Sequence, residues 1–383
     1  IWVLARKSTK EKNGGKEFLQ TLKELAYEKG IDEEQLFETI EAALISAYRR
    51  NFNLAQNDRN VRIALSRETG AFHVFAIKDV VEEVTNDVTE ISLAQARAIN
   101  PDYMIGDVVE IEMTPANFGR IAAQTAKQVV MQRLREAERG IVYDEYMNRK
   151  SDIVTGIVQR VEGRNVFVDI GRAEALLMPT EQMPTEEYNY GDTLRAYIIE
   201  VKRTARGPQI LLSRTHPELL KKLFELQVPE MQEGVVEIKS IAREAGSRSK
   251  VAVYSSEERV DPIGACVGPH YMRVQAVVDE LAGEKIDIVK WSDDPATYIA
   301  NSLNPAKVIS VAVNEAEKVS RVVVPDYQLS LAIGKEGQNA RLAAKLTGWK
   351  IDIKSESQAQ ELMAAADEAE EAAVEAEPAA EEA

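Results

Sequence analysis

Two stretches of the chain repeat one another at an offset of 65 to 66 residues, and this repeat constrains the fold more than any other feature. The first runs Ile263, Gly264, Ala265, Cys266, Val267, Gly268, Pro269, His270, Tyr271, continues through a helical pattern holding Arg273 and Val274, and ends Glu284, Lys285, Ile286, Asp287, Ile288. The second runs Leu331, Ala332, Ile333, Gly334, Lys335, Glu336, Gly337, continues through a helical pattern holding Arg341 and Leu342, and ends Trp349, Lys350, Ile351, Asp352, Ile353. Paired strand patterns precede each, at 235–242 with 250–254 and at 308–313 with 319–324. Each unit therefore reads strand, strand, helix, Gly-x-x-Gly loop, helix, strand. A lone Gly-x-x-Gly arises often by chance; the same motif recurring inside matched secondary structure does not.

That order is the one of a KH module, whose loop clamps the backbone of about four nucleotides. Glycine lets the chain approach a phosphate closely, and the following helix presents its first amides and the positive end of its dipole. Gly334, Lys335, Glu336, Gly337 and Arg341 are candidates for backbone clamping, with Gln338 and Asn339 as candidate polar readers. The alternative for Gly334 and Gly337 is a plain helix cap. Gly268, Pro269, His270, Tyr271 and Arg273 form the weaker counterpart, because Tyr271 stands where the second glycine is expected. Its side chain either obstructs backbone approach or stacks on a base. The Walker pattern Gly-x-x-x-x-Gly-Lys-[Ser/Thr] is absent. Cys266 sits at an apolar helix position and is expected in the core, His216 before Pro217 is expected to hold a turn, and Trp291 and Trp349 are expected to pack between the repeats.

Upstream, 152–213 changes to short strands at 153–161, 166–170, 174–177, 193–201 and 209–213, separated by turn residues such as Gly163, Gly171 and Gly191. Five short strands in this span predict a small closed barrel of the OB type, which binds oligonucleotides on its second and third strands. Alternation puts Val166, Val168 and Ile170 inward and turns Phe167 outward, flanked by Arg160, Arg164 and Arg172. An aromatic face among cations suits single-stranded nucleic acid; the plainer reading has Phe167 covering a barrel seam. Before the barrel, 32–48 carries apolar residues at helical spacing behind Asp32 and Gln35, 61–65 and 72–76 make a hairpin, a short helix occupies 92–99, a strand 108–113, and a long helix 121–139. No catalytic spacing stands out in this α+β portion.

Charge tempers the nucleic-acid reading until it is localised. Lys plus Arg number 47 against 63 Asp plus Glu, a net of −16. Residues 355–383 hold ten acidic side chains and no basic one, whereas 151–354 carry 26 basic against 29 acidic. The tail is expected to be disordered, serving as a solubilising appendage or as an acidic decoy competing with RNA. Residues 1–15, apolar and then basic, are set apart as an extension, either upstream sequence or the mark of a fragment. One cysteine excludes an intrachain disulfide, and the three histidines lack ligand spacing, so neither metal nor cofactor is expected and reducing cytoplasm is the default.

Three strings resemble the bacterial NusA family of transcription elongation factors. They are 119–128 (GRIAAQTAKQ), 207–217 (GPQILLSRTHP) and 324–335 (VPDYQLSLAIGK), and the resemblance spans about 16–356. It implies an α+β multidomain chain with an N-terminal polymerase-binding domain at 16–138, an OB-type barrel at 139–215, tandem prokaryotic-type KH domains at 216–291 and 292–355, and extensions at 1–15 and 356–383. It further implies a non-enzymatic monomer that binds core RNA polymerase, nascent RNA and other elongation or antitermination factors, and that acts on pausing, termination and antitermination. The competing readings are a ribosome-associated RNA chaperone and an accessory of an RNA-processing exonuclease.

Overall fold

A computed structural model of the chain describes residues 16–24, 26–28, 30, 32–51, 60–115 and 118–361. The extension at 1–15 and the acidic tail beyond 361 lie outside the described residues. The chain divides into two units, the first ending at Val142 and the second starting at Tyr143.

In the first unit, α1 (Glu33–Asn51) buries Leu36, Phe37, Ile40, Leu44 and Tyr48 along one stripe. Asp32 caps it, its Oδ1 accepting from the Gln35 amide at 2.8 Å, while Glu33 and Glu34 face the positive helix end. β1 (Val61–Leu65) and β2 (Phe72–Val81) form the expected hairpin, with Val61 opposite Ala76 and Leu65 opposite Phe72. β2 also carries a short parallel strand, β3 (Glu90–Ser92), and the antiparallel β4 (Val108–Glu112). Between these two lies α2 (Leu93–Ile99), capped by the Ser92 side chain.

The following helix, α3 (Phe118–Asn148), outruns the expected 121–139. The helix passes through Gly140 and its apolar spacing continues to Tyr146, which is buried and donates its hydroxyl proton to the Ile170 carbonyl at 2.7 Å. That anchor repays the modest helix penalty of one glycine, so the boundary expected at 139 falls inside a continuous helix.

The second unit begins with a closed five-stranded barrel of β5 (Ile153–Glu162), β6 (Asn165–Asp169), β7 (Glu174–Leu177), β8 (Thr193–Thr204) and β9 (Gly207–Ser213), in the order β5-β6-β7-β9-β8. Val158, Val166, Val168, Leu177, Ile198 and Ile210 fill it. Gly156 permits closure, since a Cβ there would lie 2.5 Å from Val168 Cγ1 and 2.7 Å from the Asp169 carbonyl oxygen.

Two three-stranded sheets follow with one topology. In the first, β10 (Val236–Glu244) runs antiparallel and β12 (Lys285–Lys290) parallel to the central β11 (Arg248–Ser255). In the second, β13 (Ser310–Asn314) and β15 (Lys350–Ser355) flank β14 (Val319–Val324) in the same senses. The first sheet is backed by α4 (Pro217–Gln227), the one-turn α5 (Pro229–Gln232), α6 (Pro262–Val267) and α7 (Met272–Glu280). The second is backed by α8 (Pro295–Ser302), α9 (Leu329–Ile333) and α10 (Gln338–Thr347).

The two repeats share a core. Ala242, Ala252 and Val289 of the first pack with Tyr298, Leu342 and Leu346 of the second, and Trp291 closes the cluster. Trp349 departs from expectation, packing within the second repeat. Buried Lys250 crosses the same junction, donating to the Asn304 carbonyl at 3.0 Å and to Asp287 at 3.3 Å. Barrel and first repeat are joined by Arg214, only 3% exposed, whose guanidinium holds Glu186 of the barrel and Glu280 of α7. His216 behaves as expected, accepting at Nδ1 from the Glu218 amide and stacking on Tyr197 at 4.7 Å.

Candidate nucleic-acid interface

Both Gly-x-x-Gly positions adopt one backbone course. Gly268 has φ 71°, ψ 173° and Gly334 has φ 77°, ψ 173°; His270 and Glu336 follow at φ 51° and 52°. Tyr271 (φ 62°, ψ 13°) then takes the left-handed conformation that Gly337 takes (φ 74°, ψ 13°). Each loop starts from the same cap, the Gly268 amide donating to the Gly264 carbonyl and the Gly334 amide to the Ser330 carbonyl, both at 2.9 Å.

The first glycine is required by packing as well as by backbone. A Cβ on Gly334 would meet Asn339 Cβ at 2.8 Å and its backbone nitrogen at 2.9 Å; one on Gly268 would meet Arg273 Cγ at 2.6 Å. The second is different: a Cβ on Gly337 would meet nothing within 4 Å.

These contacts reassign several candidate residues. Asn339 is buried and its amide nitrogen donates to the carbonyls of Leu303, Leu331 and Ala332 at 3.1, 3.5 and 3.0 Å, so it pins the loop from inside and is not placed to read a base. Its counterpart is Arg273, at the same offset of 66 residues, whose Nη1 donates to the Ala265 carbonyl at 2.6 Å and to Glu230 at 2.8 Å. Arg273 is thus a loop buttress and the match of Asn339, not of Arg341. Arg341 spans the two repeats, its Nε 2.6 Å from Glu244 Oε1 and its Nη1 3.3 Å from the Glu336 carbonyl. Gln338 joins the same carboxylate at 2.8 Å and also donates to Ser247. The hydrogen bond from Arg341 holds the Glu244 carboxyl below its usual range, with Gln338 assisting against partial desolvation. Lys335 is exposed and has no ion pair among the described residues.

On the barrel, Phe167 does turn outward, but its ring lies under the Arg160 guanidinium, 4.1 Å from ring centroid to Cζ. Arg160 is held in turn by Glu162 at 2.7 Å and by both oxygens of Glu174. Arg172 pairs with Glu145 at 2.9 Å. Arg164 is exposed on the β5–β6 turn without an ion pair among the described residues. Glu244, Glu174 and Glu145 are the residues missed by reading the sequence; nothing in the strand pattern marks which carboxylate faces which cation.

Cys266 is buried in the first repeat's core, where burial pushes its thiol up to about 12. Among the described residues no group of three or more His, Cys, Asp or Glu could hold a metal ion, and no helix is long and apolar enough to cross a membrane.

Comparison with known proteins follows the same modules. Residues 17–140 match the NusA N-terminal domain, 148–213 the S1 RNA binding domain, 214–291 the NusA-like first KH domain and 295–361 the NusA-like second KH domain. The OB-type barrel is therefore of the S1 kind. A transcription termination/antitermination protein NusA from Halalkalibacterium halodurans is 63% identical over 353 residues, covering 92% of both chains. The protein of that name from Bacillus subtilis is 62% identical over 346 residues, covering 90% of this chain and 92% of its own. The solution structure of the N-terminal domain of NusA from B. subtilis is 63% identical and covers 33% of this chain and 98% of its own, with a TM-score of 0.29. The chain belongs to the NusA family of transcription termination/antitermination proteins.

Proposed function

We propose that the chain binds nascent single-stranded RNA with its S1 barrel and both KH loops, binds core RNA polymerase through its N-terminal unit, and through these joint contacts acts on pausing, termination and antitermination. The observation that carries the RNA reading is the repeated loop: two short segments with the same rare backbone, mounted on one shared core. At the second loop, Lys335 supplies charge, the amides at the start of α10 face the phosphate, and Gly337 leaves the approach open. Asn339 and Arg273 hold the loops in shape, and Gln338 and Arg341 hold the second loop against the first repeat. Arg164 and the Phe167–Arg160 stack form the barrel's contribution.

The polymerase contact rests on family membership and on the N-terminal unit carrying the family's own domain. Such a partner places the protein in the cytoplasm, and further elongation or antitermination factors would bind the same complex. A pull-down from bacterial extract, with and without RNase, tests both arms. Polymerase is expected to stay bound after RNase treatment. Loss of polymerase on RNase treatment, or recovery of ribosomes instead, overturns the polymerase contact. Gly337→Asp places a side chain and a negative charge against phosphate and is expected to weaken RNA binding; unchanged affinity at fixed salt refutes the clamping role.

A further inference from the structure

We propose that Tyr271 is a base-stacking residue, so that the first KH loop holds RNA by a nucleobase where the second holds it by the phosphate backbone. The proposal rests on the reading that both loops meet RNA, and it specifies how they differ.

The loops share their backbone, so the difference lies in side chains. At the offset of 66 residues, Pro269 stands where the second loop has Lys335, and Tyr271 stands where it has Gly337. The first loop has therefore lost both the cation and the open approach that a phosphate clamp uses. Arg273 does not replace that cation, because it is committed to Glu230 and the Ala265 carbonyl. What the first loop offers instead is a ring. A Cβ at the matching position of the second loop meets nothing within 4 Å, so a side chain there projects into the space from which phosphate would arrive.

Tyr271 is 68% exposed. Its ring has no aromatic or cationic partner among the described residues. Several other rings of the same unit are engaged: Phe167 lies under Arg160, Tyr197 against His216, and Tyr254 and Trp291 under Lys239; Tyr190 and Tyr327 are exposed as well, but neither stands in a Gly-x-x-Gly position. Exposed Met272 beside Tyr271 extends the apolar surface. A tyrosine in the left-handed region is strained, so this placement opposes backbone preference. A free aromatic face on a rigid loop suits a nucleobase, and stacking is tolerant of base identity because every base has a π-face.

The test measures binding of the full chain to single-stranded RNA of randomised sequence with 2-aminopurine replacing adenine. Tyr271→Gly is expected to weaken binding about 5- to 150-fold, the loss of one stacked base. Tyr271→Phe is expected to bind as the parent does. Quenching of 2-aminopurine on binding is expected to fall in Tyr271→Gly and to persist in Tyr271→Phe. Since glycine relieves the strained backbone, Tyr271→Gly is expected to melt no lower than the parent, which separates lost stacking from lost folding. Equal or tighter binding by Tyr271→Gly overturns the proposal, because removing an obstruction would then have restored a phosphate clamp. Failure of the wider reading looks different: the parent itself does not bind, and Gly337→Asp changes nothing.

Discussion

Alanine at Gly334 would carry its Cβ to 2.8 Å from Asn339 Cβ and 2.9 Å from the Asn339 backbone nitrogen. Neither neighbour can yield cheaply. The nitrogen belongs to the first turn of α10, and the side chain is held by the carbonyls of Leu303, Leu331 and Ala332. The backbone itself, at φ 77° and ψ 173°, lies in a region essentially reserved for glycine. Occupying it costs about 1–3 kcal/mol, and forcing a methyl into a packed contact costs about 1–3 kcal/mol more. Gly337→Ala meets no neighbour, and its φ of 74° with ψ of 13° is ordinary left-handed helix. The expected cost there is about 1 kcal/mol. Two glycines three residues apart in one motif should therefore differ by at least about 1 kcal/mol. Multidomain unfolding need not be two-state, so the assay is hydrogen exchange with mass spectrometry, which reads the opening free energy of α9 and α10 separately. Equal losses at the two positions, or a larger loss at Gly337, would refute the division of labour between the glycines.

Glu284 is fully buried and accepts from Arg243 Nε at 3.0 Å, the Gly246 amide at 3.0 Å and Ser249 Oγ at 2.5 Å. Glu284→Gln leaves the buried Arg243 guanidinium uncompensated and should lower the opening free energy of the β10–β11–β12 sheet, read by hydrogen exchange, by about 3–5 kcal/mol; a loss below about 1 kcal/mol would show that solvent reaches the pair. Glu244→Gln should release Arg341 beside the second loop, strengthening RNA binding at low salt and steepening the salt dependence by about one phosphate's worth, near 0.7 in slope; an unchanged slope counts against it. Because Arg341 holds the Glu244 carboxyl low, the contact stabilises at every pH above the ordinary glutamate range and fades only as pH falls through that depressed value. RNA affinity should then show no step from Glu244 between neutral and mildly acid pH, and the appearance of one in the parent but not in Glu244→Gln would contradict the assignment. Cys266 should resist iodoacetamide in the native protein and react on unfolding, as mass spectrometry can count; rapid native labelling would contradict its burial.

Alternation and glycine placement made much of this architecture legible. The barrel strands follow from period-two patterns, and the repeat could be read because a φ near +75° leaves few residues other than glycine at Gly334 and Gly337. Details that depend on register were not legible. Arg160 reaches Phe167 because a bulge between Val158 and Arg160 sets those two residues opposite each other across β5 and β6. Strand alternation turned the ring outward and was silent about what would cover it. The match of Arg273 to Asn339 was available in the repeat offset, but similarity of charge drew the comparison toward Arg341. α3 ran past Gly140 because Tyr146 finds an acceptor on the barrel, a contact between segments that no local pattern announces.

The pairing of cations also bears on how an acidic chain can bind RNA. Around the candidate interface Arg160, Arg172, Arg273 and Arg341 each face a carboxylate of the chain itself, and only Lys335 and Arg164 are exposed candidates without an ion pair among the described residues. Those four candidate arginines can then neutralise phosphate only by first breaking an internal pair. At these candidate positions the contribution would come from backbone amides and stacking, whose strength depends little on salt, more than from the paired arginines. Each loop alone would bind weakly. Both are fixed to one shared core through Ala252, Tyr298 and Leu342, so once one loop is engaged the other meets the same strand as an intramolecular event. An effective concentration in the millimolar range applies to such linked sites. Shared packing between the repeats should therefore contribute to RNA affinity by fixing the two loops relative to each other, and loosening it, as by Leu342→Ala, should weaken binding to long RNAs more than to RNAs that fill one loop.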